Sequence, residues 1–135
     1  MNTSLTPVEQ YTRDITAGKI QPDRAQENAI SALDSVHQDL VSHWNKPKSL
    51  LGTFLGNERQ GLKDISGLYL WGDVGRGKTF LMDIFYQCLP GERKLRMHFH
   101  RFMQMVHRSL YANRGSKNPL ELVAQEIAEK ADVIC

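Results

Sequence analysis

The stretch G-D-V-G-R-G-K-T, residues 72–79, lies between the apolar runs L-Y-L-W and F-L-M-D-I-F-Y. Its glycines at both ends of a four-residue gap, followed by Lys78 and Thr79, match the phosphate-binding pattern G-x-x-x-x-G-K-[ST]. Glycines let the backbone turn so that several N–H groups point at one anion, and a following helix adds the positive end of its dipole. A glycine-rich turn with a chance Lys-Thr pair is the alternative, but a buried strand before and an apolar helix after favour the phosphate loop.

The loop predicts a nucleotide site in which each residue type has a role. Lys78 is expected to bring a mobile cation to the β- and γ-phosphates of ATP, and it is the residue we assign to catalysis. The hydroxyl group of Thr79 is expected to ligate Mg²⁺. Asp73 and Arg76 occupy variable positions of the pattern, so we expect their side chains in solvent. The residues expected to bind ATP are Gly72, Asp73, Val74, Gly75, Arg76, Gly77, Lys78, Thr79 and Phe80.

Strand and helix patterns alternate on both sides of this loop. The apolar run 68–71, bounded by glycines, predicts a buried strand of the kind found in parallel sheets. Residues 79–88 predict a mostly buried helix that Leu89-Pro90-Gly91 ends. A second strand over 95–99, helices over 102–110 and 120–127, and the opening of a third strand at 132–135 follow. This order predicts an α/β fold with a parallel sheet and flanking helices.

The part of the chain before the loop reads as helical. Thr6-Pro7-Val8-Glu9 has the pattern of a capping box with proline at the first helical position, and this helix should end near Gly18. Pro22-Asp23 opens a second helix that ends between Trp44 and Pro47. Its buried face is predicted from helical spacing to contain Ala29, Ile30, Leu33, Val36, Leu40 and Val41. We therefore divide the chain into an N-terminal helical segment, 1–47, a connection, 48–66, and the first part of the phosphate-loop domain, 67–135.

Composition limits the classes of function. Lys plus Arg number 17 against 15 Asp plus Glu, and the net charge of +2 gives no strong nucleic-acid or membrane signal. The two cysteines, Cys88 and Cys135, lie far apart without metal spacing and fit a reducing compartment. The first residues lack the pattern of a secretory signal, and no apolar run approaches the ~20 residues of a membrane helix. The cytoplasm is the expected location.

A histidine pair is a second candidate site. His98 and His100 would share one face of the predicted second strand, an arrangement compatible with metal binding. No third ligand is evident nearby in the sequence, although Cys88 and His107 could approach in the fold. Polar positions on a half-covered strand are the simpler interpretation, so the role of the pair stays open.

Several stretches together resemble one family, the ZapE cell-division ATPases, which are AAA+ P-loop proteins with mitochondrial relatives. They are W-G-D-V-G-R-G-K-T-F-L-M-D-I-F-Y (71–86), L-P-G-E-R-K (89–94) and M-H-F-H-R-F-M-Q-M-V-H (97–107). P-D-R-A-Q-E-N-A-I-S-A-L (22–33) resembles the segment that precedes the ATPase core in this family. The resemblance is strongest over 67–111 and extends from about residue 22 to the end.

The resemblance implies hydrolysis of ATP with Mg²⁺, a soluble cytoplasmic protein, and association with the division ring built from FtsZ. By position, Gly72, Gly75, Gly77, Lys78 and Thr79 match the family's phosphate loop. It also implies that the helix containing Gln26 and Ala29 approaches the adenine, and that the full-length protein forms a homo-oligomer with nucleotide at the subunit interface.

The chain departs from the family where it stops. In the family, the strand that begins like A-D-V-I-C continues into F-D-E, the acidic pair that completes the Mg²⁺ site, but here the chain ends at Cys135. We therefore expect the N-terminal part of a longer ATPase, with an incomplete sheet, that binds ATP without hydrolysing it. Two alternatives remain at this point: a DNA-associated AAA+ ATPase such as a helicase loader, which the low net charge disfavours, and a non-catalytic partner-binding fragment.

Overall fold

The computed structural model describes residues 5–46 and 65–135. They form two compact units, the first containing the described residues up to Pro90 and the second running from Gly91 to Cys135. The division at 1–47, 48–66 and 67–135 stays a prediction, and most of its connection, 48–66, lies outside the described residues. Of the helices in the described ranges, none has both the length and the apolar character that crossing a membrane requires.

Within its described residues, the first unit contains three helices, α1 (Pro7–Thr16), α2 (Arg24–Trp44) and α3 (Lys78–Cys88). The predicted capping box of α1 is present, since the Glu9 amide donates to Thr6 Oγ1 at 3.3 Å and the Thr6 amide donates to Glu9 Oε2 at 2.8 Å. Asp23 caps α2 by accepting from the amide of Gln26 at 3.0 Å. Both predicted helix starts are therefore confirmed.

Apolar side chains from all three helices form the core of this unit, in which α1, α2 and α3 contact one another pairwise. On the predicted face of α2, Ile30, Leu33 and Leu40 are buried, and the other three members are half-buried. The buried hydrophobic residues of the unit are Tyr11, Ile30, Leu33, Leu40, Leu81, Ile84, Phe85, Cys88 and Leu89. The prediction of a buried helix after the glycine loop is thereby confirmed.

Two buried polar side chains of α2 join it to the other helices. Asp34 Oδ1 accepts from the amide of Val8 at 3.0 Å, in the first turn of α1, where helix amides lack partners within the helix. Nε2 of His37 lies 3.1 Å from the carbonyl oxygen of Cys88, the last residue of α3. The first contact joins α2 to the beginning of α1, and the second joins α2 to the end of α3.

The second unit contains β1 (Lys94–Leu95), α4 (Phe99–Ala112), α5 (Pro119–Lys130) and β2 (Val133–Ile134). The two strands are parallel, with Lys94 opposite Val133 and Leu95 opposite Ile134. The amide of Cys135 donates to the carbonyl of Leu95 at 2.8 Å, and the amide of Met97 donates to the carbonyl of Cys135 at 3.0 Å. Parallel pairing of the predicted second and third strands is therefore confirmed, for a shorter ladder than the sequence predicts.

The predicted strand over residues 68–71 is wrong, because these residues have no regular secondary structure. Tyr69 is 85% exposed and Trp71 is 83% exposed, although the pattern predicts burial. A strand of a parallel sheet requires a neighbouring strand to accept its hydrogen bonds. Among the described residues, only β1 and β2 pair as strands, and residues 68–71 are not part of that pair.

The second predicted strand is also too long, because Phe99 begins α4 instead of ending a strand. His98 is the extended N-cap residue, and its carbonyl accepts from the amide of Phe102 at 3.0 Å. His98 and His100 therefore do not share a strand face. Both are exposed, their ring centroids lie 6.3 Å apart, and no group of three or more metal-ligand side chains occurs in the described ranges.

Candidate nucleotide-binding site

The glycine loop has a backbone that ordinary residues rarely adopt. Gly75 has a φ of 83° and Gly77 a φ of 80°, in the left-handed region that strains any residue with a Cβ atom. Gly77 is also the N-cap of α3, and its carbonyl accepts the first helical hydrogen bond, from the amide of Leu81 at 3.0 Å. The glycines predicted from the pattern therefore stand where the chain turns into the helix.

The N-terminus of α3 is open to an external acceptor. Side chains cap α1 and α2, whereas the N-cap of α3 is Gly77, which makes no side-chain cap hydrogen bond, and the first turn of α3 contains no acidic residue. The first amides of a helix lack partners within the helix and carry the positive end of its dipole. This arrangement favours binding of an anion such as a phosphate group.

Lys78 lies across the mouth of the loop. Its Nζ donates to the carbonyl oxygen of Gly72 at 2.7 Å and to that of Asp73 at 2.6 Å. The ammonium group is thus held over the loop by neutral acceptors of the loop itself. A phosphate oxygen would be a stronger acceptor for the same donors, because charge-assisted hydrogen bonds exceed neutral ones in strength.

The other predicted loop residues lie at the surface. Asp73 and Arg76 are exposed, as predicted for these variable positions, and Val74 is fully exposed as well. Thr79 is exposed in the first turn of α3, and Phe80 is half-buried. The structure therefore brings Gly72, Asp73 and Lys78 into direct contact. The roles of all the predicted loop residues toward ATP stay predictions.

A cleft of about 420 Å³ opens beside the loop. Its size is within the range of small-molecule sites. One wall comes from α2, and the lining residues are Ala25, Gln26, Ala29, Leu70, Trp71, Gly72, Asp73, Arg76, Lys78 and Leu81. Gln26 and Ala29, which the family resemblance places near the adenine, therefore lie next to the loop. Contact of either residue with a base stays a prediction.

The sequence did not indicate how α2 holds the loop. Nε2 of Gln26 donates to the carbonyl oxygen of Arg76 at 3.2 Å, across 50 positions of sequence. The hydroxyl group of Tyr11 donates to Oε1 of the same glutamine at 3.2 Å. Asp23 Oδ2 lies 3.8 Å from Nη2 of Arg76. No local sequence pattern predicts such contacts, because each joins residues that are distant along the chain.

Comparisons with known proteins show the family of this chain. The AFG1-like ATPase family model matches residues 5–135. The cell division protein ZapE of Escherichia coli K12 is 44% identical over 139 residues, which cover 98% of this chain and 37% of the relative. An uncharacterized protein of Schizosaccharomyces pombe is 31% identical over 160 residues, which cover 96% of this chain and 35% of the relative. Lactation elevated protein 1 homolog B of Danio rerio is 41% identical over 80 residues, or 51% of this chain and 16% of the relative.

No solved structure matches the chain significantly. The chain spans little more than a third of the length of the bacterial and yeast relatives. The family model nevertheless covers nearly every residue of the chain, including the whole glycine loop and the helices that contact it. The chain belongs to the AFG1-like ATPase family.

Proposed function

We propose that this chain is the ATP-binding part of an ATPase of the AAA+ P-loop type, and that residues 72–79 hold the phosphates of ATP. The observation that carries the proposal is the glycine loop at the open N-terminus of α3, with the Lys78 ammonium group across its mouth. Membership of the AFG1-like ATPase family supports ATP as the nucleotide. We also propose that the whole protein has the full parallel sheet of such an ATPase, with helices on both faces.

Binding requires a small change at Lys78. Its Nζ would exchange the carbonyl oxygens of Gly72 and Asp73 for oxygens of the β- and γ-phosphates, while the first amides of α3 face the same anion. The residues present also fit Mg²⁺, since the Thr79 hydroxyl is exposed at the start of α3, where a P-loop threonine holds the ion. Bound Mg²⁺ would offset the charge of the phosphates.

Hydrolysis places further demands on a site. Phosphoryl transfer requires a positioned water molecule and charge stabilisation in the transition state, in addition to phosphate binding. Of the described residues that line the cleft, Asp73 is the one acid, and it belongs to a variable position of the loop. We therefore propose that the 135-residue chain binds Mg·ATP without measurable turnover and that the whole protein is an ATPase.

Calorimetric titration of the purified chain with Mg·ATP, paired with a phosphate-release assay, tests this proposal. Lys78→Ala should weaken ATP binding by roughly 10- to 100-fold, the usual worth of a hydrogen bond to a charged group. Lys117→Ala is the matched control, because this lysine is exposed in the second unit. It should bind ATP like the unaltered chain.

The outcomes separate binding from turnover. Binding that Lys78→Ala removes, with no phosphate released, supports both parts of the proposal. Release of phosphate that depends on Lys78 would show that another acid completes the site and would contradict the second part. An unaltered, folded chain that fails to bind Mg·ATP would contradict the proposal as a whole.

We further propose that the whole protein acts on the bacterial division ring and binds FtsZ. The support is the relative of Escherichia coli, which is named a cell division protein and is 44% identical over 98% of this chain. The DNA-associated alternative is not favoured by these relatives, and the cytoplasmic location and the homo-oligomer stay predictions. Sedimentation of FtsZ polymers with the full-length protein, with and without ATP, tests the partner. Absence of co-sedimentation in every nucleotide state would contradict the division role and leave the ATP site untouched.

A further inference from the structure

We propose that Gln26 is a positioning residue for the phosphate loop. In this inference, its amide sets the direction of the Arg76–Gly77 peptide group and thereby the affinity of the loop for phosphates. The inference rests on the proposed function of residues 72–79. It goes beyond that function because Gln26 lies on α2, outside the loop pattern, and would act without touching the phosphates.

The geometry of one peptide group carries the argument. Nε2 of Gln26 donates to the carbonyl oxygen of Arg76 at 3.2 Å. The described backbone has no cis peptide bond, and in a trans peptide group the carbonyl and the N–H point in opposite directions. Holding the Arg76 carbonyl toward α2 therefore turns the Gly77 N–H away from α2. This N–H is one of the backbone donors that a phosphate loop offers to its anion.

The orientation of the Gln26 side chain is itself fixed. Its Oε1 accepts from the hydroxyl group of Tyr11 at 3.2 Å, and Tyr11 is only 3% exposed. Because the carbonyl of Arg76 can only accept, the nitrogen side of the amide faces the loop, and the hydroxyl group of Tyr11 then donates to the oxygen side. The Gln26 backbone amide is held as well, by Asp23 Oδ1 at 3.0 Å. A chain of hydrogen bonds thus runs from α1 through α2 to the loop.

Close packing at Gly77 supports the same role. A Cβ atom on this residue would lie 2.6 Å from Nε2 of Gln26 and 3.4 Å from its Cδ. The glutamine amide therefore lies directly against the glycine that begins α3, where a side chain would push it out of place. The second contact of α2 with the loop, 3.8 Å from Asp23 to Arg76, joins two partly exposed side chains and is expected to be weak.

Contact with the base of ATP is the competing role for Gln26, since this residue also lines the cleft. Inorganic tripolyphosphate separates the two roles because it has no base. A residue that positions the loop affects tripolyphosphate and ATP equally, whereas a residue that contacts the base affects ATP alone. Tyr11 gives a second separation, because it is outside the cleft lining and reaches the loop through Gln26.

The experiment measures the Kd of Mg·ATP and of tripolyphosphate for Gln26→Met, Tyr11→Phe and the double variant, all in the 135-residue chain. Gln26→Met should weaken both ligands by about 5-fold, as expected for one lost hydrogen bond. Tyr11→Phe should weaken both by about 2-fold, and it should add nothing in the Gln26→Met background. Gln38→Met is the matched control: this glutamine also lies on α2, but its amide donates to Asp34 at 2.7 Å, and the variant should bind both ligands normally.

Failure of this inference differs from failure of the proposed function. If the unaltered chain does not bind ATP, or if Lys78→Ala binds it equally well, the proposed function is contradicted and the inference falls with it. If Lys78 matters but Gln26→Met binds tripolyphosphate like the unaltered chain, the positioning role alone is contradicted. Should Gln26→Met fail to fold, Gln26→Glu keeps the size and replaces the donor by an acceptor, and it must weaken tripolyphosphate for the inference to stand.

Discussion

The first unit buries apolar side chains from three helices, whereas the second unit buries few and relies on polar contacts. Val123 and Ala131 are the buried hydrophobic residues described in the second unit. α4 contributes none, although its apolar residues follow a helical period. The candidate nucleotide site lies on the first unit, where burial holds α2 and α3 in place. Directional contacts such as that between Gln26 and the loop therefore have a rigid support.

Arg93 is the centre of the polar contacts in the second unit. Its Nε and Nη2 donate to Asp132 Oδ1 at 2.9 and 2.8 Å, and this hydrogen bond raises the pKa of the guanidinium group. It also donates to the carbonyl oxygens of Glu129 and Ala128 at 3.1 and 3.0 Å, in the last turn of α5. A cation at this end of a helix is favourable. The arginine thus joins the end of α5 to the strand pair.

Shortening a core side chain of the first unit is expected to give the largest effect. Ile30 is 2% exposed on the face of α2 that packs into the three-helix core, and Ile30→Ala should lower the free energy of unfolding by about 3 kcal/mol. Urea unfolding followed by circular dichroism measures the change. Asn28→Ala, at an exposed position of the same helix, should change stability by less than about 0.5 kcal/mol. A cost at Ile30 as small as that of the control would refute the contrast between the two units.

Removing the guanidinium group of Arg93 should have a smaller and local effect. Arg93→Met keeps most of the side-chain volume, and because the arginine is 47% exposed we expect a loss of about 1 kcal/mol. Hydrogen exchange should become faster at the amides of Met97 and Cys135, whose hydrogen bonds join the two strand segments. Arg101→Met, on the exposed side of α4, should leave that exchange unchanged. Unchanged exchange in Arg93→Met would mean that the strands pair without this arginine.

Substitution of Asp14 should give the smallest change in the free energy of unfolding, and this change should depend on pH. Hydrogen bonds from Lys19 at 2.9 Å and Gln10 at 3.1 Å lower the pKa of this carboxyl group in the folded protein. The folded pKa is below the unfolded value, so the stabilisation is present above about pH 4 and is lost as pH falls through the folded pKa. Asp14→Asn should therefore cost about 0.5–1 kcal/mol at pH 7, since Lys19 is 66% exposed, and progressively less below pH 4.

Unfolding curves at pH 7 and at successive values below pH 4 measure this prediction. Asp39→Asn, at an exposed position of α2, is the control and should show no comparable loss at pH 7. A cost of Asp14→Asn that stays constant as the pH falls would show that charge plays no part in its contribution.

Local signals predicted much of the fold. The capping box at Thr6 and the Asp23 cap depend on side chains within three residues of the amides they bind, so the sequence displays them directly. The glycines of residues 72–79 are likewise a local requirement, because a turn with positive φ selects glycine wherever it occurs. The apolar face of α2 follows from its period.

One strand prediction was wrong and another was too long, because strand formation depends on contacts with residues that are distant along the chain. The apolar run 68–71 has the composition of a strand, but a strand forms only where another strand accepts its hydrogen bonds. The alternation through 95–99 continues past the point where His98 becomes an N-cap and the chain turns into α4. Over so few residues, the alternation of apolar and polar residues that is typical of a strand cannot be distinguished from the first turn of a helix.

The sequence by itself determined the starts of α1 and α2, the glycines of residues 72–79 and the family resemblance, since these depend on residues that are close along the chain. Only the tertiary structure decided that Tyr11, Gln26 and Arg76 meet, that Lys78 lies over its own loop, and that residues 68–71 form no strand. The physical reason is that hydrogen bonding and burial between distant segments depend on which surfaces the packed helices bring together, and no local pattern records that choice.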